Sequence, residues 1–264
     1  MLIYGDIKIS KLINYIQEEQ SQSLFKASEF EVDISNQSEI KPVSLILDTG
    51  EKIYISGKID RVDICKIDDK EYIRIIDYKS GSRDFNLDDI YYGLNMQMMI
   101  YLFILMIYYN KIGKKVLPAG ALYLSVKEKI QFAQRYIDED KFDKLIKKNF
   151  KMNGILIDDI KILKLMEKNL EGNLIPVKLN KDGSLSKTSS VLNEVSFSLL
   201  EKYIKNIIVK MAETIFDGKI KAQPVEGSRY ENVCSYCEYK PICNLGEDKT
   251  FKHITKPPEG WLCV

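Results

Sequence analysis

The chain has 264 residues, enough for one large domain or two small ones around a substantial core. Its 39 basic against 38 acidic residues leave a net charge of +1, so no bulk basicity marks it for nucleic acid and any such contact falls to local patches. Charged residues at 29% beside hydrophobic ones at 45% exclude a disordered chain, and the longest apolar run, Met98 to Tyr109, is short of the roughly 20 residues that cross a bilayer.

The amino terminus, MLIYGDIKIS, lacks a basic region followed by an apolar core and is not a secretory signal. From Ile9 to Leu24, apolar Leu12, Ile13, Ile16 and Leu24 opposite an acidic, Gln-rich side predict a surface helix. Glu29 to Val32 and Val43 to Leu47 alternate as strands, with a turn at Asp48-Thr49-Gly50. Ile53 to Cys65 and Tyr72 to Tyr78, rich in β-branched and aromatic residues, then flank the polar Ile67-Asp68-Asp69-Lys70 and predict a hairpin. With Asp68-Asp69 as a two-residue loop, ladder partners share one total, so Asp60 faces Asp77 and Asp63 faces Arg74. Alternation puts Asp60, Val62 and Ile64 with Ile73, Ile75, Asp77 and Lys79 on one face, and Arg61 and Asp63 with Tyr72 and Arg74 on the other.

Two carboxylates about 5 Å apart at their Cβ atoms repel unless a cation sits between them, and a divalent ion with oxygen ligands does this. Mg²⁺ is the natural candidate, held by Asp60 and Asp77 with the backbone carbonyl of Tyr78 as a further ligand. Such an ion activates water and neutralises a phosphodiester, while Lys79 orients the nucleophile or steadies developing charge. Taken alone, Asp77-Tyr78-Lys79 reads equally as an ordinary ion pair at a strand end. The opposed Asp60 is what favours the metal.

Ser80 to Arg83 read as a loop, after which Asn86 caps a helix running through Tyr91-Tyr92-Gly93 to about Asn110, with Asp88 and Asp89 in its first turn. Gln97 and Tyr101, four apart, share a face that reaches the metal site, or else serve as a backbone-bonded Gln and a core Tyr. Pro118 opens a strand from Ala119 to Val126, giving a βββαβ order. Asp140 to Lys151 and Asp159 to Asn169 are lysine-rich amphipathic stretches; Lys144, Lys147, Lys148 and Lys151 either track phosphates or form a solvated face. Leu174 to Leu179 reads as a strand before a turn at Asn180 to Ser184. A long helix follows from Ser196 to Asp217, with Leu199, Leu200, Ile204, Ile207, Ile208, Met211 and Ile215 inward and Gly218 ending it. No G-x-x-x-x-G-K-[ST] string occurs, so ATP hydrolysis is not assigned to this chain.

Of five cysteines, Cys234, Cys237 and Cys243 cluster in ten residues, a ligand-like arrangement that points to a reducing, cytoplasmic setting rather than a disulfide framework. Their spacing suits a soft metal. Three thiolates are one ligand short, and Cys65, Cys263 and His253, the only histidine, are the available substitutes; with His253 the set reads as a Cys₃His zinc site. Cys65, on a strand, is most simply a small buried residue.

The string from Gly57 to Gly81 resembles the PD-(D/E)xK nuclease motif in its RecB-like form, with Ile59-Asp60 in place of Pro-Asp, Asp77-Tyr78-Lys79 as the (D/E)xK element, and Ser80-Gly81 following. Gln97 and Tyr101 match the Q-x-x-x-Y element of that family. GKIDRVD, IDYKSG, YYGLNMQMMIYL and PAGALYL in this order are similar to the nuclease domain of the AddB family, which belongs to bacterial ATP-dependent helicase/deoxyribonucleases, from about Phe25 to CSYCEYKPIC. The resemblance implies an α/β restriction-endonuclease-like core over residues 25–130, a helical carboxy-terminal extension over 131–264 carrying the cysteines, and a leading helix, 1–24, of a truncated domain. It further implies Mg-dependent exonuclease action on DNA ends, a role in recombinational break repair, and an AddA-like partner subunit. A carboxylate or histidine from earlier in the chain joins the metal in that family, and Glu31 is the counterpart that aligns, read otherwise as a solvated strand residue. Cys234, Cys237 and Cys243 would hold three irons of a 4Fe–4S cluster, the fourth ligand lying upstream of residue 1. The rival expectation is an idle nuclease fold that binds DNA ends or bridges to the partner.

Overall fold

The computed structural model describes residues 2–79, 85–126, 150–219, 221–227, 233–243 and 251–262, with the side chains of 2–9 and 236 excepted. The chain opens with helix α1 (Leu2–Gln22), whose Leu12, Tyr15, Ile16 and Glu19 fall three or four apart and so on one face. That face is docked rather than exposed. The helix is a surface helix as expected, with Ile13, Asn14, Gln17 and Ser21 exposed, but its acidic side is not wholly outward: Tyr15 and Glu19 are buried, and Glu19 points inward because two arginines meet it there. Lys26 ends the helix by donating from Nζ to the carbonyls of Gln20 and Ser23, at 2.9 and 2.8 Å.

Strands β1 (Lys26–Ile34), β4 (Gly57–Ile67) and β5 (Lys70–Lys79) form an antiparallel set, while β2 (Val43–Ile46) and β3 (Lys52–Ile55) pair in a separate two-stranded sheet. The single strand expected over Ile53 to Cys65 is therefore split at Ser56, because its two halves have different partners. The hairpin has the expected register: Ile67 pairs Lys70 and Asp63 pairs Arg74, around a two-residue loop in which Asp68 takes φ 51°.

The expected helix from Asn86 to Asn110 is two helices, α2 (Leu87–Tyr91) and α3 (Gln97–Lys111). Asn86 accepts from Asp88 N–H as its cap, but buried Asp89 bonds Asn95 at 2.6 Å, and Gly93 and Asn95 take positive φ, so the chain turns between the helices. From α3 the chain enters β6 (Val116–Ser125), parallel to β5. Pro118 lies inside this strand rather than at its start. It is tolerated because the ladder is irregular there, at the step where Ile73 pairs Pro118 and Arg74 pairs Gly120.

The sheet does not stop at residue 130. β7 (Asn153–Ile157) lies antiparallel to β6 and β8 (Val191–Leu192) parallel to β7, giving the order β1-β4-β5-β6-β7-β8. Gly120, at φ 146°, lets β6 and β7 close up, since a Cβ there would overlap the Ile155 carbonyl oxygen. Helix α4 (Ile160–Lys164), capped by Asp159, buries Ile162 and Leu163. Leu174 to Lys178 is a loop and not a strand, with Leu174, Ile175 and Val177 buried and only Leu179 bridging to Leu185, because the N–H groups of Leu174 and Ile175 go to the Glu167 carboxylate instead of a neighbouring strand. In α5 (Glu194–Phe216), Leu200 and Ile204 are buried as the pattern predicts, and Phe197, which it did not single out, is buried with them. Met211 and Ile215, expected inward, are exposed.

The last described segments are β9 (Val225–Glu226) paired parallel with β10 (Lys252–His253), a 3₁₀ turn at Val233–Tyr236 and the short helix α6 (Lys240–Cys243). The expected helical extension thus carries strands as well. Asp140 to Asn149, with Lys144, Lys147 and Lys148, lies outside the described residues, as do Ser80 to Arg83 and Cys263. No helix among the described residues is long and apolar enough to cross a membrane.

Candidate active site

The hairpin β4–β5 carries the site because its ladder stops early. Pairing runs regularly from Ile67–Lys70 to Arg61–Ile76, and the next step would join Asp60 to Asp77. Instead, Asp60 turns its carboxylate toward β5 and Oδ2 accepts the backbone N–H of Tyr78 at 2.8 Å. β5 continues alongside β6 to Lys79, where the Lys79 carbonyl accepts from Val126 at 2.9 Å. The two strands of the hairpin part at this end, with an acid on each side of the opening.

Alternation from the regular ladder keeps Asp60 and Asp77 on the face of Val62 and Ile75, as the sequence predicts. Asp77 is 5% exposed, and Lys79 sits 2.7 Å from its Oδ2. Lys79 Nζ also lies 5.6 Å from the ring centroid of Tyr123, the β6 partner of Asp77. Asp77 and Lys79 are thus paired directly, and Asp60 reaches the same end of β5 through the Tyr78 N–H. All their donors toward a cation are hard oxygens, and a pair of carboxylates with a nearby backbone carbonyl suits a small divalent ion that keeps several waters.

Gln97 and Tyr101 meet each other at the start of α3, with Gln97 Nε2 donating to the Tyr101 hydroxyl at 3.2 Å. Tyr101 is buried against the first residue of β4: a Cβ on Gly57 would overlap its hydroxyl oxygen. Glu31 is placed elsewhere. It is exposed at φ 53° on β1 and pairs with Lys58, the solvated alternative rather than a third carboxylate beside Asp77.

On the reverse face Arg61, Asp63 and Arg74 lie together as the alternation predicts, joined by an acid that sequence reasoning missed, Glu19. Arg61 donates to Asp63 from Nε at 2.6 Å and from Nη2 at 2.8 Å, and Arg74 donates to Asp63 from Nε at 2.9 Å. Glu19 from α1 completes the set, bonded by Arg61 at 3.1 Å and by Arg74. Burial works against the ionised Glu19, but Arg74 and Arg61 outweigh it and hold the carboxyl below its ordinary range. Burial likewise opposes the charge of Arg61, and Asp63, Glu19 and the Tyr78 hydroxyl more than restore it. The signal was present: two arginines and one aspartate on a buried face demand a second acid.

Within the cysteine segment, Cys234 and Cys243 are half-buried and Cys237 exposed, all as free thiols. Their soft donors suit an iron–sulfur cluster chemically, yet among the described residues no three His, Cys, Asp or Glu are gathered to hold a metal. His253 faces Glu226 at 3.3 Å, not the thiols of a Cys₃His set. Cys65 is buried as predicted, and that burial pushes its thiol pKa up.

Comparison with known sequences bears on the family. Residues 6–244 match the profile of the PD-(D/E)XK nuclease superfamily. The chain is 39% identical over 95% of its length to a protein of Clostridium novyi named as a subunit of an ATP-dependent helicase/deoxyribonuclease, covering 23% of that protein. It is 38% identical over 97% of its length to the like-named subunit of Clostridium tetani and 36% over 96% to that of Clostridium kluyveri, again covering 23% of each. It therefore spans about a quarter of the length of the curated relatives it matches. With the α/β core, the parted hairpin and the profile match in agreement, the chain belongs to the PD-(D/E)XK nuclease superfamily.

Proposed function

We propose that this chain is the nuclease domain of a helicase-nuclease subunit and hydrolyses DNA phosphodiesters with Mg²⁺. The observation that carries the reading is the convergence of Asp60, Asp77 and Lys79 on one face where the hairpin ladder ends. Asp60, Asp77 and the Tyr78 carbonyl would hold the ion, which supplies charge neutralisation at the phosphodiester and activation of water. Asp77 orients the Lys79 ammonium, and Lys79 positions the nucleophile and steadies charge as the bond breaks. Tyr101, wedged against Gly57, supports the start of β4 and holds Gln97 at the rim.

The relatives are named as subunits of an ATP-dependent helicase/deoxyribonuclease, which supports a partner subunit and DNA as substrate; that the partner is AddA-like, that the action is exonucleolytic on duplex ends and that it serves break repair in the cytoplasm follow from the family resemblance alone. Within this reading the core runs on past residue 130 to β8, and the carboxy-terminal part beyond it carries Cys234, Cys237 and Cys243 as ligands of a 4Fe–4S cluster. That assignment rests on the family resemblance and on the softness of the donors. A brown protein with broad visible absorption supports it; a colourless one that releases zinc on denaturation removes it.

Digestion of linear DNA with Mg²⁺ by the wild type, Asp77→Ala and Lys79→Ala tests the reaction. Asp77→Ala is expected at background, and Lys79→Ala is expected to lose about 10²–10³-fold in rate. Equal activity in all three would remove the hydrolytic assignment and favour an idle fold that binds DNA ends.

A further inference from the structure

Glu19, Arg61, Asp63 and Arg74 sit behind the strands that carry Asp60 and Asp77, each no more than 2% exposed. Hydrolysis as described uses none of them. A buried group of ion pairs is weak evidence for stability, because desolvation offsets much of the attraction. Its position offers another reason.

Arg61 is the neighbour of Asp60 in the chain and the last β4 residue paired with β5, opposite Ile76. Its guanidinium forks onto both oxygens of Asp63 and also reaches Glu19. Arg74, the ladder partner of Asp63, takes the same two carboxylates from β5. So β4, β5 and α1 are tied together at the Asp63–Arg74 rung, two residues from the last pair at Arg61, and one residue beyond that last pair Asp60 leaves the ladder for Tyr78 N–H.

We infer that Arg61 is a positioning residue, whose fork onto Asp63 and Glu19 fixes the last rung and so the turn of Asp60 toward the opening. The inference rests on the assignment of Asp60 and Asp77 to a metal site. A planar guanidinium is needed because three contacts in two directions define a rotation, whereas a lysine ammonium is a point charge on a flexible stem. With the rung loosened, Tyr78 N–H is free to exchange its carboxylate partner for solvent or backbone, and Asp60 swings away from Asp77.

Titration of the folded chain with Mn²⁺, followed by the electron paramagnetic resonance of the free ion, reads this without turnover. Wild type, Arg61→Lys, Glu19→Gln and Asp77→Ala are compared well below the unfolding temperature of the weakest, with amide exchange at Tyr78 measured alongside. Arg61→Lys is expected to weaken Mn²⁺ binding about tenfold or more, as loss of a group that orients a ligand does. Glu19→Gln shifts it in the same direction, and Tyr78 N–H exchanges faster in both. If both variants merely unfold more easily while Mn²⁺ affinity and the Tyr78 amide stay at wild-type values, the positioning role is overturned. Should Arg61→Lys not fold, Glu19→Gln, which keeps the Arg61–Asp63 fork, decides by the same readings. Failure of the metal site itself looks different: Asp77→Ala would then bind Mn²⁺ as tightly as the wild type.

Discussion

Gly57 sets how closely α3 approaches the start of β4. A methyl group there would overlap the Tyr101 hydroxyl oxygen and meet two ring carbons at 2.7 Å, so the ring must move, not the strand, which is held in its sheet by β1. Moving it separates Gln97 from its partner and frees the residues just before Asp60. Gly57→Ala is therefore expected to cost about 1–3 kcal/mol of stability, as overpacking does, and to depress DNA cleavage further than that loss explains. Urea unfolding and Mg²⁺-dependent digestion on the same preparation separate the two effects; unchanged cleavage would detach Tyr101 from the site. Tyr101 and Gln97 were legible in the sequence as a pair on one helix face. Their seat against Gly57 was not, because a glycine carries no sign of which neighbour fills the space it leaves.

Among the elements, the loop after α4 shows how a carboxylate can substitute for a strand. Glu167, 3% exposed, accepts from Glu171 and Asn173 on one oxygen and from Leu174 and Ile175 on the other. Four backbone donors of a buried loop are thereby satisfied by one side chain. Tyr15 of α1 donates to the Leu174 carbonyl at 3.1 Å, so the loop also seats the first helix. An amide in place of that carboxylate turns one acceptor into a donor facing N–H groups. Glu167→Gln is expected to destabilise by about 2–3 kcal/mol in denaturant unfolding. A change within a few tenths of a kcal/mol would mean that water already serves these groups. The apolar run from Leu174 to Leu179 suggested a strand, and burial of Leu174, Ile175 and Val177 agrees with its hydrophobicity. Hydrophobic pattern reports burial; the partner of each N–H decides whether buried chain is strand or loop.

For the molecule as a whole, the join between α1 and the sheet makes folding sensitive to acid. Glu19 is held below its ordinary value of 4.5, since Arg74 and Arg61 outweigh the burial that opposes its charge. The unfolded chain protonates this carboxyl first, so the stability its ion pairs contribute is complete above the ordinary glutamate range and is lost as pH falls through the lower, folded pKa. Urea midpoints are expected to drop as pH is taken below 4.5, and less steeply in Glu19→Gln, which at pH 7 is already weaker by about 3 kcal/mol. Parallel pH curves for the two proteins would show that the helix is held by its apolar contacts alone. Sequence by itself determined the hairpin register, because a two-residue turn fixes every pair along a regular ladder, and with it the shared face of Asp60, Asp77 and Lys79. Only the tertiary structure decided that the ladder ends at Arg61, that α1 supplies the second acid to the buried arginines, and that the sheet runs on to β8. Local chemistry sets spacing along a strand, whereas where strands part, and which distant residue neutralises a buried charge, depends on chain segments that no short-range pattern joins.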